Sequence, residues 1–394
     1  MERRCHRRDP ARLTIAMRKA DKEGPKAMTG SITTYTEDLV EIGEHRVRKG
    51  ELDRRSFLAA VAAMGLAPAA LTPATAATGE LVLVNFGGVA AKEYKKSFGP
   101  GCERATGLKL VVDGSGASPA KIRAMVDAGS VVWDVCDYAP QIGIQLGGKY
   151  LEEIDYSIVD KQKLLPGFAL QYGCAAYVFS FIMAYNKQMV PEPPRGWADF
   201  WDLKRFPGKR AMFKTPIGQL EAALLAAGVE PDKLYPLNLD LALGKIKDLK
   251  SEIIWWETGA QSQQLLRDRE VTMGNVWHSR ATVMRNETRG NIDFTFNQGV
   301  LVVGGWAIPK GNPAGRANAN KFIAAAQDPK AQLSIYLSLF NGPANLQTIE
   351  LVPEDKRVLN PSDPANLKLQ AISNPRYWGE NSAAIQDRWL DAIS

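Results

Sequence analysis

From residue 80 onward, short apolar runs alternate with stretches of helical spacing. Leu81-Val82-Leu83-Val84-Asn85-Phe86 is an unbroken apolar run that stops at Gly87-Gly88, the pattern of a buried strand followed by a turn. A helix is expected through Lys92–Phe98 and on to Arg104, with Thr106-Gly107 as its break, and Leu108–Val112 reads as a second strand. Gly114-Ser115-Gly116-Ala117 is a loop. Ser118 then caps a helix at Pro119, because a serine hydroxyl accepts first-turn N–H groups and proline is pre-set for the first helical position. That helix covers Ala120–Asp127 and stops at Gly129, and Val131–Cys136 is a third strand. Strand, helix, strand, helix, strand at this spacing predicts a βαβ sheet with helices on its faces.

The second half of the chain repeats this grammar with other sequences. Tyr177–Tyr185 is a long apolar, β-prone run. Pro191, Pro193 and Pro194 lead from it to a short helix at Trp197–Trp201. Further helices are expected at Ile217–Ala227, Leu239–Leu249, Ala260–Arg267, Lys321–Gln327 and Lys330–Leu339. Strands are expected at Glu252–Trp256, Val271–Val276 and Gly299–Pro309. There is no internal repeat and no low-complexity segment. The order fits an α/β protein of two lobes crossed twice by the chain.

Residues 53–77 stand apart. Arg54-Arg55 precede Phe57-Leu58, a weakly hydrophobic run reaches Leu71, and Ala74-Thr75-Ala76 offers a small-residue cleavage site. The segment resembles a twin-arginine signal, which exports an already folded protein. Residues 1–77 are therefore expected to be an N-terminal extension and signal peptide, with Met17 and Met28 as alternative starts, and the mature protein to be periplasmic.

Composition narrows the function by exclusion. The net charge of +6 is concentrated in the leader, where 14 Lys and Arg face 10 Asp and Glu, leaving 35 against 33 in the remainder. Such a balance provides no basic surface for nucleic acid. His6, His45 and His278 are the whole histidine complement, too few for a His-rich metal site or a catalytic His network. Cys102, Cys136 and Cys174 are too widely spaced for a zinc pattern or disulfide framework, although one pair remains possible. A G-x-S-x-G elbow, a C-x-x-C pair and a complete dinucleotide fingerprint are all missing, so neither an enzyme nor a bound cofactor or metal is expected.

An ordered series of motifs resembles the spermidine/putrescine-binding family of bacterial ABC importers. It comprises Asn85-Phe86, Glu103-Arg104-Ala105-Thr106-Gly107, Trp133-Asp134-Val135, Tyr185-Asn186, Trp197-Ala198-Asp199-Phe200-Trp201 and Pro207-Gly208-Lys209. Glu270-Val271-Thr272-Met273-Gly274 ahead of Trp277, and Trp306-Ala307-Ile308-Pro309, complete it over nearly all of residues 80–394. The resemblance implies a type II periplasmic-binding-protein fold. Two α/β lobes, 78–179 plus 303–345 and 180–302 plus 346–394, would enclose a ligand cleft. Hinge crossings near Tyr177–Phe181 and Val300–Gly305 would let the cleft close on its ligand by rigid-body motion. It further implies a monomeric receptor that performs no chemistry and hands a small molecule to the membrane permease of an ABC importer.

The ligand-binding residues expected on these grounds are Phe86, Ser115, Gly116, Ala117, Asp137, Tyr138, Thr215, Trp277, Arg280 and Gly304. Trp277 corresponds to the family aromatic that stacks on the ligand, and Phe86 to an aromatic of the first lobe. Asp137 and Tyr138 follow the third strand, where the family places polar contacts, and Asp137 would hold an amine. The polyamine pattern is broken elsewhere. Val302-Val303-Gly304-Gly305 carries neither the acidic residue nor the aromatic expected there. Lys214-Thr215-Pro216-Ile217-Gly218-Gln219 lacks the acidic residues of polyamine binders, and Glu221 reads as a solvated helix residue. Instead Gly114–Ser118 and Thr215-Pro216 both open helices, whose N-termini favour anions, and Arg280 can pair with a carboxylate. A small organic amine or amino-carboxylate is the expected ligand. A polyamine, a phosphonate, thiamine and ferric ion are the alternatives, the last disfavoured by the lack of adjacent tyrosines.

Overall fold

Asp134 shows how side chains set the local fold. Its carboxylate accepts the Val82 N–H and the Ala314 N–H, both at 2.6 Å. The third strand is not Val131–Cys136: the Asp134 N–H still donates to Val82 O at 2.8 Å while its carboxylate takes the two N–H groups, and the strand runs Val135–Tyr138. The computed structural model describes residues 79–394, so the leader lies outside the described residues.

The strands are β1 (Glu80–Val84), β2 (Lys109–Asp113), β3 (Val135–Tyr138), β4 (Leu151–Glu152), β5 (Ala169–Leu170) and β6 (Gly173–Asn186). They continue as β7 (Arg210–Phe213), β8 (Ile253–Trp256), β9 (Met273–Trp277), β10 (Ile292–Pro309), β11 (Gly342–Pro343) and β12 (Ala371–Ile372). The main helices are α1 (Gly88–Thr106), α2 (Pro119–Asp127), α3 (Ile142–Tyr150), α4 (Trp197–Trp201), α5 (Gln219–Ala226) and α6 (Leu239–Leu249). After them come α7 (Gly259–Arg267), α8 (His278–Glu287), α9 (Gly315–Ala325), α10 (Pro329–Leu339) and α11 (Pro375–Ile393).

The strand order is β2-β1-β3-β10-β6-β9-β7-β8. β2-β1-β3 and β9-β7-β8 are parallel, as βαβ connections require, whereas β3-β10, β10-β6 and β6-β9 are antiparallel. Two parallel α/β halves are thus joined through one long antiparallel pair. The apolar cores follow this division. Ala175, Ala176 and Val178 of β6 pack with Leu81, Phe98 and Trp306, whereas Phe181 and Ile182 pack with Phe200, Leu224 and Trp256. The expected crossings at Tyr177–Phe181 and Val300–Gly305 coincide with this change of core.

Several elements escape the sequence pattern. α8 buries His278 and Thr282 beside Ala281 and Met284 and so lacks a clean apolar stripe, β7 is only four residues long, and β10 begins at Ile292 rather than Gly299. α11 buries Trp378, Ile385 and Trp389 in the second core and also touches α3, where Gln145 donates to Ser382 Oγ at 2.9 Å. Glu221 is not solvated. It is fully buried, accepts from Gly218 N–H (2.8 Å), Tyr235 O–H (2.6 Å) and Trp378 Nε1–H (2.8 Å), and so ties α5 to α11.

Candidate functional site

On the first half, β1 is followed by Asn85, whose Oδ1 accepts the Gly87 N–H at 2.8 Å. Gly87 adopts φ 80°, and a Cβ there would stand 2.8 Å from the Gly114 carbonyl oxygen. The loops after β1 and β2 close onto each other because both residues are glycine. This leaves Phe86 62% exposed, beside Gly116 and with its ring centroid 6.4 Å from that of Tyr138. The ring is thus held open to solvent just past the carboxyl end of β1.

Asp137 lies beneath this rim, only 3% exposed. Tyr177 O–H donates to its Oδ1 at 3.2 Å, and Tyr94 also hydrogen-bonds the carboxyl. Burial raises its pKa from the usual 3.8 to about 7, against the opposing effect of the Tyr94 and Tyr177 bonds. Gly304 does not face open space. A Cβ on it would lie 2.5 and 2.6 Å from two carbons of the Tyr177 ring, so its place is to seat that ring over Asp137.

Tyr177 starts an aromatic series that the sequence reading assigned only to a hinge. Tyr177, Phe179 and Phe181 share one face of β6, with centroids 6.4 and 5.9 Å apart. Phe181 stacks on Phe213 (6.0 Å), and Phe213 meets Trp256 (4.3 Å) and Trp277 (5.3 Å). From Tyr177 to Phe181 the strand advances ~13 Å at ~3.3 Å per residue. The half-buried Phe179 thus stands between the Asp137 pocket and the Trp277 cluster. The alternation in Tyr177-Val178-Phe179-Ser180-Phe181 is the signal that would have found these residues.

On the second half, Trp277 ends β9 and is half-buried, with Trp256 and Phe213 edge-on to it. Arg280 is half-buried one turn along α8. A Cβ on Gly259, in the first turn of α7, would stand 2.5 Å from its Nε. Its guanidinium makes no hydrogen bond or ion pair with any described residue. His278 next to it is buried and fully bonded: Nδ1 accepts the Ser180 N–H at 3.0 Å and Nε2 lies 2.7 Å from the Phe340 carbonyl oxygen. Burial lowers its pKa to about 4, so it is a neutral tie between α8 and β6.

The two expected anion loops are already occupied. The Ser115 N–H donates to the Asp113 carboxylate at 2.8 Å and the Gly116 N–H to Asn85 O at 2.9 Å. Ala117 turns its methyl into a cluster with Val84, Ile122 and Trp133. At the other loop, Glu221 takes the Gly218 N–H, while the Gln219 and Leu220 N–H groups donate to Pro216 O. At the first loop the Lys121 ammonium, donating to Ser115 O at 2.7 Å and Gly116 O at 3.0 Å, stands beside the Asp113 carboxylate; at the second the Glu221 carboxyl opposes an anion. The buried Thr215 hydroxyl has no hydrogen-bond partner among the described residues.

Cys102, Cys136 and Cys174 are buried free thiols. Among the described residues no group of His, Cys, Asp and Glu is placed to hold a metal ion, and no helix is long and apolar enough to cross a membrane.

A family profile described as bacterial extracellular solute-binding protein matches residues 90–357. A gamma-aminobutyric acid-binding protein of Pseudomonas aeruginosa is 32% identical over 332 residues, covering 82% of this chain and 93% of its own. Among solved structures, a GABA receptor is 34% identical, with a TM-score of 0.74, over 80% of this chain and 98% of its own. An ABC transporter substrate-binding protein from Bradyrhizobium japonicum is 32% identical, with a TM-score of 0.75, over 80% of this chain and all of its own.

Proposed function

The chain belongs to the family of bacterial extracellular solute-binding proteins, the substrate-binding components of ABC importers, and on that premise we propose that it captures a small ω-amino carboxylate of the gamma-aminobutyrate kind. Arg280 carries this reading. A half-buried guanidinium with no hydrogen-bond or ion-pair partner among the described residues, three positions after Trp277, is a standing demand for an anion. Asp137 supplies the opposite charge on the first half, and Phe86, Tyr138, Phe179 and Trp277 supply apolar walls between the two. A polyamine needs a carboxylate at each end, but Glu221 is fully engaged with Gly218, Tyr235 and Trp378. The two relatives named for gamma-aminobutyrate support the same ligand class.

The remainder of the reading follows. The lobes are 78–179 plus 303–345 and 180–302 plus 346–394, flexing where β6 and β10 change core. Closure on the ligand, without chemistry, is the signal passed to the permease. The protein acts as a periplasmic monomer exported through the twin-arginine signal of residues 53–77. The test is calorimetric titration of the purified protein with 4-aminobutanoate, putrescine and methylphosphonate. Binding of 4-aminobutanoate alone, abolished by Arg280→Gln, is the expected result. Preferential binding of putrescine, unaffected by that substitution, would sink the proposal.

A further inference from the structure

A second set of unsatisfied groups lies on the same wall as Trp277. Gln219 and Asn275 are fully buried, yet among the described residues both amide atoms of Gln219 and the Oδ1 of Asn275 lack a hydrogen-bond partner. Thr215 Oγ1 and Trp277 Nε1 are likewise buried and unpartnered. These residues sit together in the fold. Thr215 and Gln219 flank the turn from β7 into α5, and Asn275 and Trp277 point to one face of β9. The Asn275 Nδ2–H donates to Gly218 O at 3.2 Å, which fixes β9 against that turn. Most buried polar side-chain atoms in folded proteins are bonded, so five unpaired atoms on four neighbouring residues are a concentration that the fold itself does not explain.

The glutamine excludes the plainest alternative. Gln219 lies in the first turn of α5, where every side chain through Leu225 is buried, and an apolar residue would fill its place without leaving two polar atoms unpaired. Nor does the wall suit an ion. It is formally neutral, it offers N–H donors from Gln219 and Trp277 and acceptors from Gln219 and Asn275, and Thr215 serves as either. A group that donates and accepts at once, a hydroxyl or carboxamide, matches it; a bare methylene chain leaves all five atoms unpaired. Resting on the amino-carboxylate reading above, we infer that Thr215, Gln219, Asn275 and Trp277 form a neutral polar subsite selecting an amino carboxylate whose carbon chain bears a hydroxyl or carboxamide.

The experiment titrates the parent protein and Gln219→Met with 4-aminobutanoate and with 4-amino-3-hydroxybutanoate, and records the melting temperature without ligand. The expected result is tighter binding of the hydroxylated compound by about tenfold, the worth of one well-made hydrogen bond. That advantage disappears in Gln219→Met, whose ligand-free melting temperature is unchanged or higher. Should the methionine variant not fold, Thr215→Val removes one hydroxyl at equal volume and must shrink the same advantage. Equal binding of the two compounds by the parent, or a preference that survives in the folded variants, overturns the inference. Arg280→Gln separates this outcome from failure of the underlying reading: loss of both compounds keeps the amino-carboxylate assignment, whereas undiminished binding removes it.

Discussion

Replacing Asp137 with Asn takes away a carboxyl that folding has placed between two tyrosines with 3% of its surface exposed. Its pKa is raised from 3.8 to about 7 by burial, with Tyr94 of α1 and Tyr177 of β6 opposing the rise through hydrogen bonds. Among other nearby ionisable groups, the buried Cys136 thiol is pushed well up, first by burial and then by Asp137, Asp113 and Asp134. Between pH 3.8 and 7 the unfolded chain has ionised this residue while the native protein keeps it protonated. The native state therefore binds more protons, and stability falls as pH rises through that window. Moving a carboxyl over that range corresponds to about 4 kcal/mol, the loss being complete above pH 7. Asn keeps the size and the polar contact but cannot ionise. Denaturant melts of ligand-free protein from pH 4 to 8 should show the parent losing roughly that much relative to Asp137→Asn. A ligand ammonium reverses the preference, since it favours the ionised carboxyl. Affinity for an amine-bearing ligand should then drop about tenfold for each pH unit below 7, in the parent only. Parallel pH curves for the two proteins, with and without ligand, would refute the assignment of Asp137 as a buried carboxyl that ionises on binding.

Arg280→Gln should weaken binding of 4-aminobutanoate by about 10- to 150-fold, the range for a lost charge-assisted bond of ~1.5–3 kcal/mol, with little change in ligand-free melting because the guanidinium has no partner to lose among the described residues. Gly304→Ala forces the Tyr177 ring off its seat and should cost about 1–3 kcal/mol in chemical denaturation; ligand affinity should fall with it, and a neutral effect on both would show that Tyr177 has room to move. His278→Asn should flatten a pH dependence of opposite sign to that of Asp137. The histidine pKa is lowered to about 4 by burial, so the unfolded chain takes up a proton that the native state refuses. Up to about 3 kcal/mol is thus lost as pH falls from 6.5 to 4 in the parent, and not in the variant.

The elements that carry their own local chemistry were legible from residue types alone. Ser118-Pro119 starts α2 as expected, with Ser118 Oγ accepting the Lys121 N–H at 3.2 Å, and Leu239–Leu249 forms α6 at the residues expected. The receptor family, read from the ordered motifs, is likewise a property of the linear chain. Phe86 is predictable for the same reason: its exposure follows from two glycines at strand ends. What only the tertiary structure decided is which polar groups remain free. From sequence, Gly114–Ser118 and Thr215-Pro216 are helix starts with N–H groups to offer, yet Asp113 and Glu221 occupy them. Asp113 is close in sequence to the loop it serves. Glu221, however, is held buried by Tyr235 and Trp378, the latter 157 positions away. Gly304 reads as a gap in a binding motif and becomes the seat of Tyr177, because a side chain from the antiparallel strand fills the space that the missing Cβ leaves. Among the described residues Arg280 keeps its charge unpaired, Gln219 both atoms of its amide and Asn275 its carbonyl oxygen. A residue type states what it can bond, but only the packing around it determines which of those bonds are already made.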